Sequence, residues 1–322
     1  MNSSAPDGSE LGARLRERDL TTAPAVLNLL ESRAPASAEE AVALLSAVSP
    51  AALGREAPGH VVGVTGPPGV GKSSLLSRLV AEWRGRGRSV AVLAVDPTSR
   101  RSGGALLGDR ARIEVDPSDR GVFIRSTAAG NRLGGLAPAT RAAAAALSAA
   151  FDVVVIETVG VGQSETEVAD VADTVAVVVQ PASGDVLQFL KAGIMEIPDV
   201  LVVTKSDLGP IATRAVADLE AALGALGSRA TPVLAVSALA PGAGIGELAD
   251  ALDAHRGALD LAKRRLEARR LHALDDFVAE HGERGLRALG GRRAAERWLS
   301  EREAGLDVPA LTAALEREAE VA

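Results

Sequence analysis

The chain has 322 residues, 47% of them apolar and only 2% aromatic, so its core must be built from Ala, Val and Leu. A net charge of −7 and a pI near 5.3 leave no basic stripe for nucleic acid and no polybasic anchor for a membrane. There is no cysteine, which excludes disulfides and thiolate metal sites, and neither a basic–apolar leader nor an apolar run of about 18 residues, so a cytoplasmic protein is expected.

Residues 1–9 are polar and read as disordered. Residues 10–57 read as short helices. Leu11, Leu15 and Leu20 come first, and Val26, Leu27, Leu29 and Leu30 follow Pro24. Ser37-Ala38-Glu39-Glu40 is close to a capping box ahead of Val42, Leu44, Leu45 and Val48. Pro50 to Pro58 reads as a linker, which sets 1–57 apart as a helical extension. From residue 60 strands and helices alternate, the pattern of an α/β fold with a mostly parallel sheet. Strands are predicted at 60–65, 89–95, 121–125, 152–157, 173–180, 199–204 and 231–236. Helices are predicted at 72–86, 137–150, 184–196, 211–226 and 245–256. Runs such as Val153-Val154-Val155-Ile156 suit strands buried on both faces. This domain spans 58–256. Residues 257–322 form a C-terminal helical arm, with helices expected at 258–280, 284–303 and 308–320. The arm is either a solvated cap or a dimerisation contact, since two helices cannot easily bury an apolar stripe alone.

The first strand runs into Gly66-Pro67-Pro68-Gly69-Val70-Gly71-Lys72-Ser73, and Ser74 opens an amphipathic helix. G-x-x-x-x-G-K-S between a strand and a helix is the context of a phosphate-binding loop. Its glycines let backbone N–H groups wrap a polyphosphate, and the helix N-terminus adds partial positive charge. Lys72 is expected to reach the β- and γ-phosphates and Ser73 to ligate Mg²⁺. Only four of the 35 basic residues are lysine (72, 191, 205 and 263), and three of them fall in the motifs.

The second predicted strand ends at Asp96, a carboxylate for the Mg²⁺ shell or the attacking water, or else a helix cap. A glycine-rich stretch then presents Asp109. The fourth strand gives Val153-Val154-Val155-Ile156-Glu157-Thr158-Val159-Gly160, an apolar strand, an acid and glycines, which resembles a Walker B strand entering a switch. Glu157 can serve the Mg²⁺ shell, Gly160 can offer its N–H to a γ-phosphate, and Gln163 is a candidate to orient water. The sixth strand ends Thr204-Lys205-Ser206-Asp207, which resembles the guanine-reading N-K-x-D loop. Its Asp accepts from the guanine N1–H and 2-amino group, donors that adenine lacks, and Lys205 packs over the base plane. Thr204 replaces the usual Asn and removes an amide that braces this loop. Ser237-Ala238-Leu239 resembles the loop that closes the base pocket.

The motif series goes beyond a generic nucleotide site. Asp96-Pro97-Thr98-Ser99, Gly103-Gly104, Leu107-Gly108-Asp109-Arg110, Glu157 through Glu165 and Gly184-Asp185-Val186-Leu187-Gln188-Phe189-Leu190-Lys191 resemble the MeaB/ArgK-type G proteins. These are P-loop GTPases associated with methylmalonyl-CoA mutase. The resemblance implies a P-loop NTPase G domain and a homodimer that binds GTP, GDP and Mg²⁺. It implies delivery of adenosylcobalamin to an acyl-CoA mutase and protection of that enzyme, with an adenosyltransferase as a further partner. It carries over Asp96, Asp109 and Glu157 as Mg²⁺-shell or catalytic acids. Asp185, Gln188 and Lys191 carry over as a switch coupling mutase contact to hydrolysis. Members often have Asp-Glu where this chain has Asp185-Val186, and a Lys pair where it has Lys191-Ala192.

Lys191 is the candidate for a cation supplied on partner contact. A small-molecule kinase would use the same phosphate loop but would not need Thr204–Asp207. The older arginine/ornithine transport kinase reading of such proteins finds no amino-acid site here. A nickel-insertion GTPase would show Cys or His clusters, whereas His60, His255, His272 and His281 are scattered along the chain and read as surface or packing residues.

Overall fold

A computed structural model describes residues 7–96, 113–128, 136–158, 164–181, 198–225, 227–228 and 230–321. The chain divides into two compact units. One comprises Gly59–Ala144 and Phe151–Leu259. The other comprises the residues up to Pro58, Ala145–Ala150 and the residues from Asp260 onward.

The first unit is built on seven strands: β1 (His60–Thr65), β2 (Val90–Asp96), β3 (Val122–Ala128), β4 (Val153–Thr158), β5 (Thr174–Val179), β6 (Val200–Val203) and β7 (Val233–Ala235). Their order across the sheet is β3-β2-β4-β1-β5-β6-β7, and every neighbouring pair is parallel. β1, β4 and β5 are buried at every position, which explains their unbroken apolar, β-branched sequences. On one face Val62, Val64, Val153 and Val155 meet Leu75, Leu76, Leu79 and Trp83 of α5 (Lys72–Gly85), and the same cluster takes in Leu248 and Leu252 of α9 (Ile245–Ala258). Burying each such side chain contributes about 1.5–3 kcal/mol. On the other face α7 (Ser164–Val171) approaches β1 so closely that a Cβ on Gly63 would stand 2.7 Å from Val168.

Aspartates knit the amino ends of the strands together. Asp152, Asp173 and Asp199 each precede a strand by one residue, and each caps a neighbouring strand. Asp152 accepts from Ser89 N at 2.8 Å, Asp173 from Val61 N at 2.9 Å and Asp199 from Val175 N at 2.8 Å. A side-chain relay runs along the same edge. His60 Nε2 lies 2.8 Å from Thr174 Oγ1, which lies 2.9 Å from His255 Nδ1, and His255 Nε2 lies 3.1 Å from Asp199 Oδ1. Arg88 donates to Asp253 at 2.7 Å, whose Oδ1 is 3.8 Å from His60 Nδ1.

The second unit is helical and draws on both ends of the chain. It contains α1 (Gly8–Arg16), α2 (Ala23–Glu31), α3 (Pro35–Ala47), α4 (Pro50–Leu53), α10 (Leu261–Ala288), α11 (Arg292–Ser300) and α12 (Val308–Val321). Arg269 of α10 forms a bidentate pair with Glu56 at 3.0 and 2.8 Å, and Ala51 N donates to the Gly305 carbonyl at 3.1 Å. Leu274, Phe277, Leu286, Leu299, Leu311 and Leu315 form a core among α10, α11 and α12. The apolar stripe of the arm is therefore covered within the chain.

Several expectations need adjusting. Pro35 starts α3, so Ser37 lies inside the helix, where it accepts no capping bond and pairs with Ser32 Oγ at 2.8 Å. The linker contains α4. α7 had no predicted counterpart. The helix expected at 284–303 is broken at Gly290-Gly291, both at positive φ, while the break expected near 281–283 is a kink at Gly282. α6 (Pro138–Leu147) and α8 (Pro210–Ala225) fall within or beside their predicted spans. The helix predicted at 184–196 lies outside the described residues.

Candidate nucleotide-binding site

The phosphate loop joins the carboxyl end of β1 to α5. Gly66, at φ 145°, passes so near β5 that a Cβ there would stand 2.1 Å from the Val178 carbonyl oxygen. Gly71 caps α5, and the Val70 side chain is buried in the core cluster beneath. Lys72 is only 6% exposed; its Nζ donates to the Gly66 carbonyl at 2.6 Å and the Pro67 carbonyl at 3.1 Å. The ammonium is thereby folded over the loop. Ser73 is half-buried on the first turn, and Pro68, Gly69 and Ser74 are exposed.

Glu157 lies beside this loop on the adjacent strand, paired in register with Val64 and Ala94. It is 2% exposed, and the strand alternation that puts Val153 and Val155 against α5 puts Glu157 on that face too. One residue on, Thr158 Oγ1 donates to Thr65 Oγ1 at 2.9 Å and ties the ends of β4 and β1. Asp96 ends β2, the next strand over; its backbone alone is described. Asp109, Gly160, Gln163, Asp185, Gln188 and Lys191 lie outside the described residues.

The candidate base-reading residues sit at the carboxyl ends of β6 and β7. The Thr204 hydroxyl lies 2.7 Å from the Val70 carbonyl and 3.0 Å from that of Val179. A hydroxyl reaches the phosphate loop in place of an amide. Lys205 adopts φ 56°, and its Nζ donates to Gln180 Oε1 at the end of β5. Ser237 Oγ donates to Asp207 Oδ1 at 2.7 Å, which leaves Oδ2 without a partner among the described residues. Ser237 N donates to the Ala243 carbonyl at 2.9 Å, and Ala243 N donates back at 3.1 Å. The Ser237 carbonyl therefore faces Ala243, and the Ala238 N–H of the same peptide points the opposite way. Arg78 of α5 donates to the Ala238 carbonyl at 2.8 Å, and Leu239 stands 66% exposed.

The structure thus brings Gly66–Ser74, Glu157, Thr204–Asp207 and Ser237–Leu239 to the carboxyl ends of β1, β4, β6 and β7, where α/β sheets bind ligands. The sequence did not show the links from Thr204 to Val70, from Ser237 to Asp207 or from Arg78 to Ala238. The oxygen donors Ser73 and Glu157 are of the kind that suits Mg²⁺. Of the scattered histidines, His60, His255 and His281 have side-chain partners. His60 and His255 belong to the relay described above, and among the described residues Glu280, His281 and Glu316, in the helical unit, come within 4.8 Å of one another.

The family described as methylmalonyl-CoA mutase-associated GTPase MeaB matches residues 4–285. The chain belongs to the MeaB family. It is 40% identical over 259 residues to a "probable GTPase" of Mycobacterium bovis, covering 77% of this chain and 75% of that one. It is 40% identical over 210 residues to a mitochondrial methylmalonic aciduria type A homolog of Caenorhabditis elegans, covering 63% of this chain and 53% of that one. It therefore spans about half the length of the nematode relative. A crystal structure of an LAO/AO transport system kinase aligns over 94% of this chain and 98% of its own, with a TM-score of 0.61 and 28% identity. That neighbour shares the P-loop NTPase architecture. Among the described residues, no helix of this MeaB-family chain is long and apolar enough to cross a membrane.

Proposed function

We propose that the chain is a Mg²⁺-dependent GTPase whose hydrolysis gates delivery of adenosylcobalamin to an acyl-CoA mutase of the methylmalonyl-CoA mutase kind, and protects that enzyme. The observation that supports this reading best is one site holding both a phosphate-loop lysine and a guanine-type acid steadied by Ser237, in a MeaB-family chain. Asp207 Oδ2 accepts from the guanine N1–H and 2-amino group, and the Ala238 N–H donates to the C6 oxygen. Adenine offers an amino group at C6 and no N1–H, so both protein groups would be left unpaired.

Lys72 exchanges two carbonyls for the β- and γ-phosphate oxygens, stronger acceptors because they are anionic. Ser73 and Glu157, with Asp96 and Asp109, would hold Mg²⁺, which neutralises charge on the transferring phosphoryl group. The Gly160 N–H reports whether the γ-phosphate is present. Asp185, Gln188 and Lys191 form the partner-coupling switch, and Lys191 supplies a cation on contact with the mutase. Such a cation is worth about 10³–10⁵ in rate. The chain acts as a cytoplasmic homodimer, and an adenosyltransferase is a second partner.

The test is nucleotide hydrolysis by the purified protein, with Mg²⁺ or EDTA, with and without an adenosylcobalamin-dependent acyl-CoA mutase, and with ATP as control. The expected result is Mg²⁺-dependent turnover of GTP alone, stimulated by the mutase and not stimulated in Lys191→Ala. Turnover of ATP in preference to GTP would sink the reading and favour the kinase activity named for the solved neighbour.

A further inference from the structure

The loop that closes the base site is held mostly by its own bonds. The Ser237–Ala243 bridge fixes the Ser237 carbonyl, Ser237 Oγ accepts from Leu239 N at 3.3 Å, and Gly242 N donates to the Leu239 carbonyl at 2.6 Å. The Ala238 carbonyl is different, because its partner comes from outside the loop. Arg78 Nε reaches it at 2.8 Å across 160 residues of sequence. Arg78 is exposed and makes no other hydrogen bond or ion pair among the described residues.

Arg78 stands on α5, six residues after Lys72, about 9 Å along the helix that starts at the phosphate loop. The peptides on both sides of Ala238 are then pinned, one by Ala243 and one by Arg78. The Ala238 N–H, which belongs to the first of these peptides and is flanked by the second, is thereby held in direction and tied to the phosphate-loop helix. We infer that Arg78 is a positioning residue for base recognition: it ties the base-closing loop to the phosphate-loop helix and so holds the Ala238 N–H where a purine 6-oxo group is read. The assignment rests on the guanine-nucleotide reading above. It adds a specificity determinant that lies outside the nucleotide motifs.

The role separates from a merely structural one by base chemistry. GDP and IDP share the 6-oxo group and differ at the 2-amino group, which is read by Asp207, whereas ADP carries a 6-amino group. Arg78→Met keeps the apolar stem and removes every donor. Titration calorimetry with GDP, IDP and ADP should show GDP and IDP weakened together, by about five- to twentyfold, the worth of one hydrogen bond. The GDP-to-IDP ratio and the weak ADP binding should stay as they were. Arg78→Lys, which retains a donor on a long stem, should recover part of the loss. Unchanged GDP affinity in Arg78→Met would overturn the assignment. So would an equal loss for all three nucleotides with a lowered melting temperature, since that is the mark of general destabilisation. If the unaltered protein binds ADP as tightly as GDP, the guanine reading itself fails and this role falls with it.

Discussion

Thr204 shows how one side chain can be half legible. That the acid three residues on is a candidate guanine reader is visible in local sequence, because strand end, lysine and acid are contiguous. The brace does not follow, because the Val70 carbonyl lies 134 residues away in the chain. No local pattern distinguishes a threonine that reaches that carbonyl from one that does not. The same holds for Ser237, whose bond to Asp207 spans 30 residues, and for Arg78. Thr204→Val removes the hydroxyl at nearly constant shape and strands a buried carbonyl. The expected cost is about 1–2 kcal/mol of stability, seen as a lower urea midpoint at unchanged m-value, with weaker nucleotide binding. An unaltered midpoint together with unaltered GDP affinity would show that the hydroxyl braces nothing.

At the scale of elements, the sheet was readable because its inner strands are buried on both faces and therefore carry unbroken apolar sequences. β7, an edge strand of three residues, was read too long at 231–236, since an edge needs less burial and its boundaries leave a weaker mark. α7 escaped notice because its eight residues hold few large apolar side chains and it packs on a glycine. The strand-entry aspartates carry a prediction of their own. Asp173→Ala leaves the Val61 N–H of a central strand buried without its acceptor, at about 1–3 kcal/mol. Hydrogen exchange should report it locally: the Val61 amide loses protection first, while amides at the carboxyl end of β1 follow only the global loss. A uniform change along β1 would mean that the aspartate acts on overall charge and not as a cap.

For the molecule as a whole, the sequence separated the two ends as distinct additions and could not show that they form one helical unit, because the bonds joining them, Arg269 to Glu56 among them, span more than two hundred residues. The sheet unit has its own acid weakness. His60 is fully buried, and burial pushes its pKa below the ordinary 6.5; Arg256 adds to this, while Asp253 and Asp173 oppose it. As pH falls below 6.5 the unfolded chain takes up a proton that the folded chain still refuses. The unfolded state then binds more protons, so stability falls with falling pH. Burial by itself would raise Asp253, but the His60 imidazole 3.8 Å away and the hydrogen bond from Arg88 outweigh it and bring its pKa from 3.8 to about 2. That contribution is complete above 3.8 and disappears as pH drops toward 2, the same direction in a lower window. Asp307 in the helical unit runs the other way: burial raises its pKa, so its protonation favours the folded state. The chain has two tryptophans, Trp83 in the sheet unit and Trp298 in the helical unit, so Trp298→Phe leaves a reporter of the sheet unit alone. In that background the urea midpoint should fall between pH 7 and pH 5 and fall again below pH 4. His60→Gln should flatten the upper limb and also weaken the lower one, because His60 helps to hold the Asp253 carboxyl down. A midpoint constant from pH 7 to pH 5 with His60 in place would mean that the buried imidazole takes up its proton as readily folded as unfolded, and the relay at the amino edge of the sheet would then have to be charged.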